Sequence, residues 1–173
     1  VINDILDLSK IESGKIDVEY SPMKYTEIVA DIKMAFESEV VKKGLNFKVT
    51  TENSVPEYIL MDELRLYQVI FNLVSNAVKF TDKGYIHIFT FATETEREDE
   101  IDLMITVEDT GIGIEEEKQQ KIFTSFAQLD GRSTRKYEGT GLGLAIVDGL
   151  IKRLGGTIAL KSQQGKGTTI TVT

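Results

Sequence analysis

Three places in this 173-residue chain hold residue types that could do chemistry. The first is "KYEGTGLGLAIV", Lys136 to Val147, where Gly139, Gly141 and Gly143 alternate directly ahead of an apolar run. Glycine at this density costs chain entropy, so something must require it. At a helix start, free N–H groups and the positive end of the helix dipole attract an anion. The same residues would also make a flexible hinge at a helix entry, and the pattern alone leaves both readings open. A dinucleotide fingerprint needs Gly-x-Gly-x-x-Gly after a strand. Here the sixth position is Leu144 counted from Gly139 and Ile146 counted from Gly141, and the preceding segment is a polar loop. A protein-kinase glycine loop fails on the same spacing. The nearest approach to a Walker loop is "GKGT" at Gly165, with Leu160 where the first glycine should stand.

The second place is "VEDTGIGI", with Asp109 closing a strand pattern ahead of Gly111 and Gly113. A carboxylate there can accept a hydrogen bond from a base amino group, and the glycines let backbone approach a flat ring. An ordinary turn would use the same residues. The third is the stripe Asn72, Asn76 and Lys79. Asparagine is a poor helix former, and solvated faces favour Glu and Lys. Two amide oxygens and an ammonium on one face suit a hard cation shared with phosphates, and the phosphates themselves.

Composition narrows the classes. Lys and Arg number 20 against 28 Asp and Glu, a net charge of −8, which disfavours nucleic-acid binding. The absence of cysteine removes disulfides, zinc thiolates and cysteine nucleophiles. One histidine, His87, cannot build a multi-histidine metal site, and its place in "YIHIF" reads as structural. No apolar run reaches membrane-spanning length and no signal peptide opens the chain. Val1 falls inside an amphipathic pattern, so a fragment of a longer protein is expected.

The positioning elements follow from periodicity. Val1, Ile5, Leu8 and Ile11 recur at helical spacing, widened by Ile2 and Leu6, with Gly14 as a stop. "DVEYSPMKY" is a connector with strand character. A helix is predicted from about Tyr25 to Lys43, with Ile28, Ile32, Ala35, Phe36 and Val40 inward and Gly44 as its stop. "LNFKVTTE" alternates like a strand. From Asp62 to Lys79, Leu66, Val69, Ile70, Leu73, Val74 and Ala77 form one stripe. Arg65, Gln68, Asn72, Asn76 and Lys79 form a second, roughly 130° round the helix. "YIHIFTF" and "IDLMITVED" read as strands joined by an acidic loop. "EEEKQQKIFTSF" reads as a short helix, "QLDGRSTRKYEGTG" as a long polar loop and "LGLAIVDGLIKRL" as a helix stopped by Gly155 and Gly156. "TIALKS" and "TTITVT" read as a hairpin. No βαβ repeat runs through the chain. The expected fold is α+β, a two-layer sandwich whose mixed, mostly antiparallel sheet carries helices on one face.

"NLVSNAVKFT", "DTGIGI", "IFTSFAQ" and "GTGLGLAI", in this order and at these separations, resemble the four boxes of the catalytic, ATP-binding domain of sensor histidine kinases. That family shares the Bergerat fold of the GHKL superfamily with type II topoisomerase, heat-shock chaperone and mismatch-repair ATPases. The likeness covers roughly residues 20 to 173. "VINDILDLSKIESGK" resembles the end of the second helix of the dimerisation and phosphoacceptor domain. The implied boundaries are 1–16 for that helix end and 17–173 for the catalytic domain.

The resemblance implies Mg-ATP as the bound nucleotide, with Asn76 as the magnesium ligand and Asn72 adding polar contacts. Lys79 would meet phosphate and Phe80 the base or ribose. Asp109 would bind the adenine amino group, with Gly111, Gly113 and Ile114 shaping the pocket and Thr168 closing it. The lid "TSFAQLDGRSTRKYEG" would be anchored by Phe123 and Phe126, which could equally be core residues. Thr134 and Arg135 would face the nucleotide, Arg135 at the γ-phosphate unless it is a solvated loop charge. Gly139, Gly141 and Gly143 would carry backbone donors to the phosphates, with Thr140, Leu142 and Leu144 in the same nucleotide-binding stretch. Asn72, Lys79 and Arg135 are the implied catalytic set, and the implied reaction moves the γ-phosphoryl group to a histidine in two-component signalling.

The implied partners are the chain's own phosphoacceptor domain and a response-regulator receiver domain. The parent protein would be a homodimer. This fragment would be monomeric unless the exposed stripe of Val1, Ile5 and Leu8 pairs it artificially. The domain would work in the cytoplasm; membrane anchoring of the parent stays open. The acceptor histidine with its acidic neighbour is not in this sequence, so phosphorylation would occur in trans. An ATP-hydrolysing relative would place a glutamate base where this chain has Asn72, and an amide cannot serve as a base. A nucleotide-binding pseudokinase scaffold is disfavoured by the intact boxes. An anti-sigma-type serine kinase is disfavoured by the "LDLSKIESGK" helix end.

Overall fold

The structure is a computed structural model, and it describes residues 2–14, 16–124 and 141–173. Its elements in chain order are α1 (Ile2–Glu12), β1 (Ser21–Met23), α2 (Tyr25–Lys43), β2 (Asn46–Thr51), β3 (Ile59–Met61), α3 (Glu63–Phe80), β4 (Tyr85–Glu94), β5 (Ile101–Asp109), α4 (Glu116–Gln119), α5 (Gly143–Arg153), β6 (Ile158–Gln163) and β7 (Gly167–Val172).

Alternation builds the main sheet. Ile86, Ile88, Thr90 and Ala92 of β4 are buried while His87, Phe89 and Phe91 point to the other face. Ile105 and Val107 of β5, and Ile170 and Val172 of β7, complete the inner surface. The strand order is β2-β4-β5-β7-β6. Every pairing is antiparallel except β2 with β4, which is parallel, with Phe47 beside Ile86 and Val49 beside Ile88. The chain between those two strands includes α3, so one crossover unit exists although the pattern does not repeat. β1 and β3 form a separate two-stranded antiparallel ribbon. On the outer face, His87 Nε2 lies 2.9 Å from Thr50 Oγ1, and burial with nearby Lys48 pushes the imidazole pKa down.

The helices cover the inner face. α2 ends where Gly44 turns left-handed at φ 65, its N–H reaching the Val40 and Val41 carbonyls. Its packed stripe is Tyr25, Ile28, Val29, Ile32, Phe36 and Val40. Ala35, expected inward, is exposed, because beyond Ile32 the packed stripe narrows to Phe36 and Val40. The short helix after Glu115 is only four residues long and buries none of them. Its apolar neighbour Ile122 is buried from the turn that follows.

α1 seats on α5 and α3. Leu8, expected on an exposed stripe, is buried, because α5 offers it a packing surface; Ile5 stays exposed, and Val1 lies outside the described residues. Ile11 fits where Gly149 has no side chain, and a methyl group there would clash with it. Arg153 then holds the chain after α1, donating to the Ile16 carbonyl at 3.0 Å and the Gly14 carbonyl at 3.2 Å.

α3 is fixed at both ends. Asp62, buried, accepts from Arg65 N–H at 3.0 Å as the N-cap and from Glu19 N–H at 2.9 Å. At the other end, Lys43 Nζ donates to the carbonyls of Val78 at 2.6 Å and of Lys79 and Thr81 at 3.3 Å each. An ammonium at a helix C-terminus meets both orphan carbonyls and the negative end of the dipole. Hydrogen bonds to charged groups contribute about 1.5–3 kcal/mol. Lys43→Met, which keeps the stem, is therefore expected to destabilise by about 2 kcal/mol. For a chain of this length that is roughly 4–8 °C in thermal melting, read by circular dichroism.

Candidate functional site

The apolar stripe of α3 is buried as a unit, which fixes the helix's rotation and turns its polar stripe outward from the sheet. That polar stripe divides in two. In the first half, Arg65 Nη1 donates to Gln68 Oε1 at 3.3 Å and Gln68 Nε2 to Asp7 Oδ2 at 2.8 Å, so these residues hold α1. In the second half, Asn72 and Asn76 face the start of α5. A methyl group on Gly143 would lie 3.8 Å from Asn72 Oδ1 and 3.8 Å from Asn76 Nδ2. Two elements separated by a long stretch of chain therefore bring two amides against a helix N-terminus.

Leu142, itself buried, stands at the N-cap position, and its side chain makes no cap hydrogen bond. The first N–H groups of a helix have no partners within it. Gly143 and Leu144 lie in this first turn, and Gly141 precedes it with φ 70. Lys79, in the last turn of α3, holds its Nζ 4.8 Å from the Phe80 ring centroid. Burial pushes its ammonium pKa down, so an arriving anion would offset a standing cost.

Asp109 ends β5 with the parity of Ile105 and Val107, so it points to the helix-covered face. Thr168 is its partner in β7 and shares that face with Ile170 and Val172. Asp109 Oδ1 accepts the Gly111 N–H at 2.8 Å. Gly111 itself is pressed against α3: a methyl group would come 2.5 Å from the Phe80 carbonyl, which receives the Ile112 N–H at 3.2 Å. Gly113, at φ 64, lies against the Gln163 carbonyl so closely that a side chain would clash. The loop thus ties Asp109 to the last turn of α3 on one side and to the β6–β7 hairpin on the other. Burial pushes the Asp109 carboxyl pKa up, while N–H groups of Gly111 and Thr168 pull it back.

Ser162, absent from the sequence reading, organises this end of the hairpin. Its Oγ receives the Ile114 N–H at 2.9 Å, donates to the Gly167 carbonyl at 3.0 Å and lies 3.0 Å from Thr168 Oγ1. Gln119 Nε2 of α4 donates to the Ile114 and Ser162 carbonyls. Its cross-strand pairing with Thr168 was the available signal. Lys43 was missed because a lysine ending one helix gives no sign that it caps another.

Phe123 is half-buried just after α4. Phe126, Thr134, Arg135, Gly139 and Thr140 lie outside the described residues. Among the described residues no group of three acidic, histidine or cysteine side chains could hold a metal. A cation here would need amide oxygen plus oxygens of its own ligand, a donor set that fits magnesium with phosphate.

Residues 61–173 match the family of histidine kinase-, DNA gyrase B- and HSP90-like ATPases. The chain is 38% identical over 173 residues to an autoinducer 2 sensor kinase/phosphatase, LuxQ, of Vibrio parahaemolyticus. That alignment takes in all of this chain and 20% of LuxQ, and the chain spans between about a tenth and about a fifth of the length of the curated relatives it matches. Full-length ShkA, crystallised with AMPPNP, is 28% identical and superposes with a TM-score of 0.85 over 99% of this chain and 34% of that one. The nucleotide-free catalytic domain of the histidine kinase ThkA is 28% identical, with a TM-score of 0.72 over 89% of this chain and 93% of that one. ThkA has also been solved with the response regulator protein TrrA.

The buried charge carries a testable cost. Because the Asp109 pKa is raised by folding, its contribution to stability is present at low pH and is lost as pH rises through the folded pKa. Asp109→Asn, which can keep the Gly111 hydrogen bond, should melt at a higher temperature than wild type at neutral pH without ligand. The gap should close on acidification towards the ordinary carboxylate range near about pH 4, measured by differential scanning fluorimetry across pH.

Proposed function

The chain belongs to the histidine kinase-, DNA gyrase B- and HSP90-like ATPase family, and from that premise we propose that it binds Mg-ATP and transfers the γ-phosphoryl group to a histidine on a phosphoacceptor domain. The observation that carries this reading is the meeting of Asn72 and Asn76 with the start of α5, on the same helix whose last residue, Phe80, holds the loop after Asp109. The anion-attracting parts and the base-reading part are held by the same helix, α3.

In this reading Asp109 accepts the base amino group, and Gly111, Gly113 and Ile114 leave room for the ring. Thr168 closes the pocket beside Asp109. Phe80 stands at the base or ribose. Lys79, with its charge already short of solvent, neutralises phosphate. Gly143 presents its backbone N–H to the phosphates, joined by Gly139 and Gly141, and Thr140, Leu142 and Leu144 belong to the same nucleotide-binding stretch. Thr134 and Arg135 meet the nucleotide, Arg135 at the γ-phosphate, and Phe123 anchors the lid. Asn76 would hold magnesium, which supplies charge neutralisation between phosphate oxygens.

Phosphoryl transfer needs positioning and charge stabilisation more than covalent help from the protein. The acceptor imidazole nitrogen bonds to the γ-phosphorus as the bond to the β–γ bridging oxygen breaks, and ADP leaves. Asn72 offers hydrogen bonds but no basic group for activating water, so this site favours a nitrogen nucleophile over hydrolysis. We assign residues 1–16 to the end of a phosphoacceptor-domain helix and 17–173 to the catalytic domain, with a receiver domain as downstream partner and the cytoplasm as place of work. Among the described residues no helix is long and apolar enough to cross a membrane.

Calorimetry with ATP should show magnesium-dependent binding, weakened at least about tenfold in Asn76→Ala, the scale of one lost ligand or charged hydrogen bond. Added acceptor domain bearing a histidine should gain acid-labile phosphate, while ATP turnover without acceptor stays near background. Absence of binding up to millimolar ATP would overturn the assignment.

A further inference from the structure

Thr81 follows the last residue of α3 and is 0% exposed. Its backbone is fully employed: the N–H donates to the Ala77 carbonyl at 3.1 Å, and the carbonyl receives Lys43 Nζ. The side chain is not. Thr81 Oγ1 is buried and, among the described residues, makes no hydrogen bond of ordinary length and angle. Burying an unmatched hydroxyl is unfavourable, and valine would fill the same space without it. The hydroxyl needs a reason.

Gly111 shows what lies nearby: a methyl group on it would meet Asp109 Oδ1 at 2.8 Å and the Phe80 carbonyl carbon, the atom bonded to Thr81 N, at 2.9 Å, so the Asp109 carboxylate lies beside the Phe80–Thr81 peptide, where the Thr81 side chain helps hold it ionised. A carboxylate offers about four acceptor positions. Gly111 N–H occupies one, and Thr168 N–H approaches the same group. The exocyclic amino group of a base would take a third. Thr81 is placed for the fourth. Asp109's neighbours across the sheet, Ile86 on β4 and Thr168 on β7, carry no charge. Glu108, beside it on β5, is the charge that acts on it among the described residues.

We propose that Thr81 is the positioning residue for base recognition: its hydroxyl donates to the Asp109 carboxylate when a 6-aminopurine nucleotide binds, keeping that carboxylate ionised and aimed at the amino group. This rests on the reading of Asp109 as the base acceptor. A 6-oxopurine presents an acceptor where Asp109 needs a donor, so the pair selects by hydrogen-bond polarity rather than by size.

The test is titration calorimetry of the whole chain with Mg-AMPPNP and, separately, with Mg-triphosphate, from mildly acidic to neutral pH. Thr81→Val should bind AMPPNP about tenfold more weakly and lose affinity at higher pH than wild type does. Its affinity for triphosphate should not change. Thr81→Ser should bind as wild type, and in an Asp109→Asn background Thr81→Val should cost nothing further. The proposal is overturned if Thr81→Val binds AMPPNP like wild type, if triphosphate binding falls equally, or if the loss persists in the Asp109→Asn background. Should Thr81→Val fail to fold, Thr81→Cys, a poorer donor, carries the same comparison. If wild type binds triphosphate but no better when the base is present, the Asp109 reading fails and takes this proposal with it. If Thr81 variants alone are neutral, the Asp109 reading stands.

Discussion

The rotation of α3 about its own axis is the constraint on which the remaining geometry depends. Leu66, Val69, Ile70, Leu73, Val74, Ala77 and Val78 are all buried, and together they leave the helix one way to sit on the sheet. At about 100° per residue, a slip of one position would carry Asn72 and Asn76 away from Gly143. Asp62 and Lys43 fix the two ends, so neither sliding nor fraying relaxes the arrangement. The asparagines, poor helix formers, are tolerated because the buried face holds the helix.

A second consequence is that chemistry and stability oppose each other at the sheet's end. Asp109 lies on the core side of β5, where a neutral residue would be more comfortable. Thr81 and Lys79 repeat the theme, one with an unmatched hydroxyl and the other with a charge short of solvent. Asp109 and Lys79 would be completed by ligand groups in the proposed function, and the Thr81 hydroxyl by Asp109. Groups that burial disfavours in the empty protein are the ones with most to gain on binding.

Much of this was legible in the sequence because the signals were local. Gly44 marks the end of α2 through its left-handed backbone, and the two stripes of α3 follow from spacing alone. The partners of those stripes were less legible. Arg65 and Gln68 share a face with Asn72, yet they serve α1 through Asp7, and only the packing separates the two halves. The parallel pairing of β2 with β4 depends on how the intervening crossover returns, which alternation does not encode. Leu8 read as exposed because its cover, α5, lies far along the chain. Ala35 failed for a simpler reason: a small apolar residue fits inside or outside a helix equally well. Thr81 and Ser162 were invisible as polar residues with tertiary partners, since no spacing rule reports an unmatched hydroxyl.

α5 has one end at Gly143, beside the amides of α3, and the other at Arg153, whose side chain grips the backbone at Gly14 and Ile16. Its 11 residues make a rod about 16 Å long. A hydrogen-bonded helix resists stretching, so a push at either end arrives at the other nearly undiminished. Ile11 in the notch at Gly149 acts as a pin partway along, and it decides whether such a push slides the rod or tilts it.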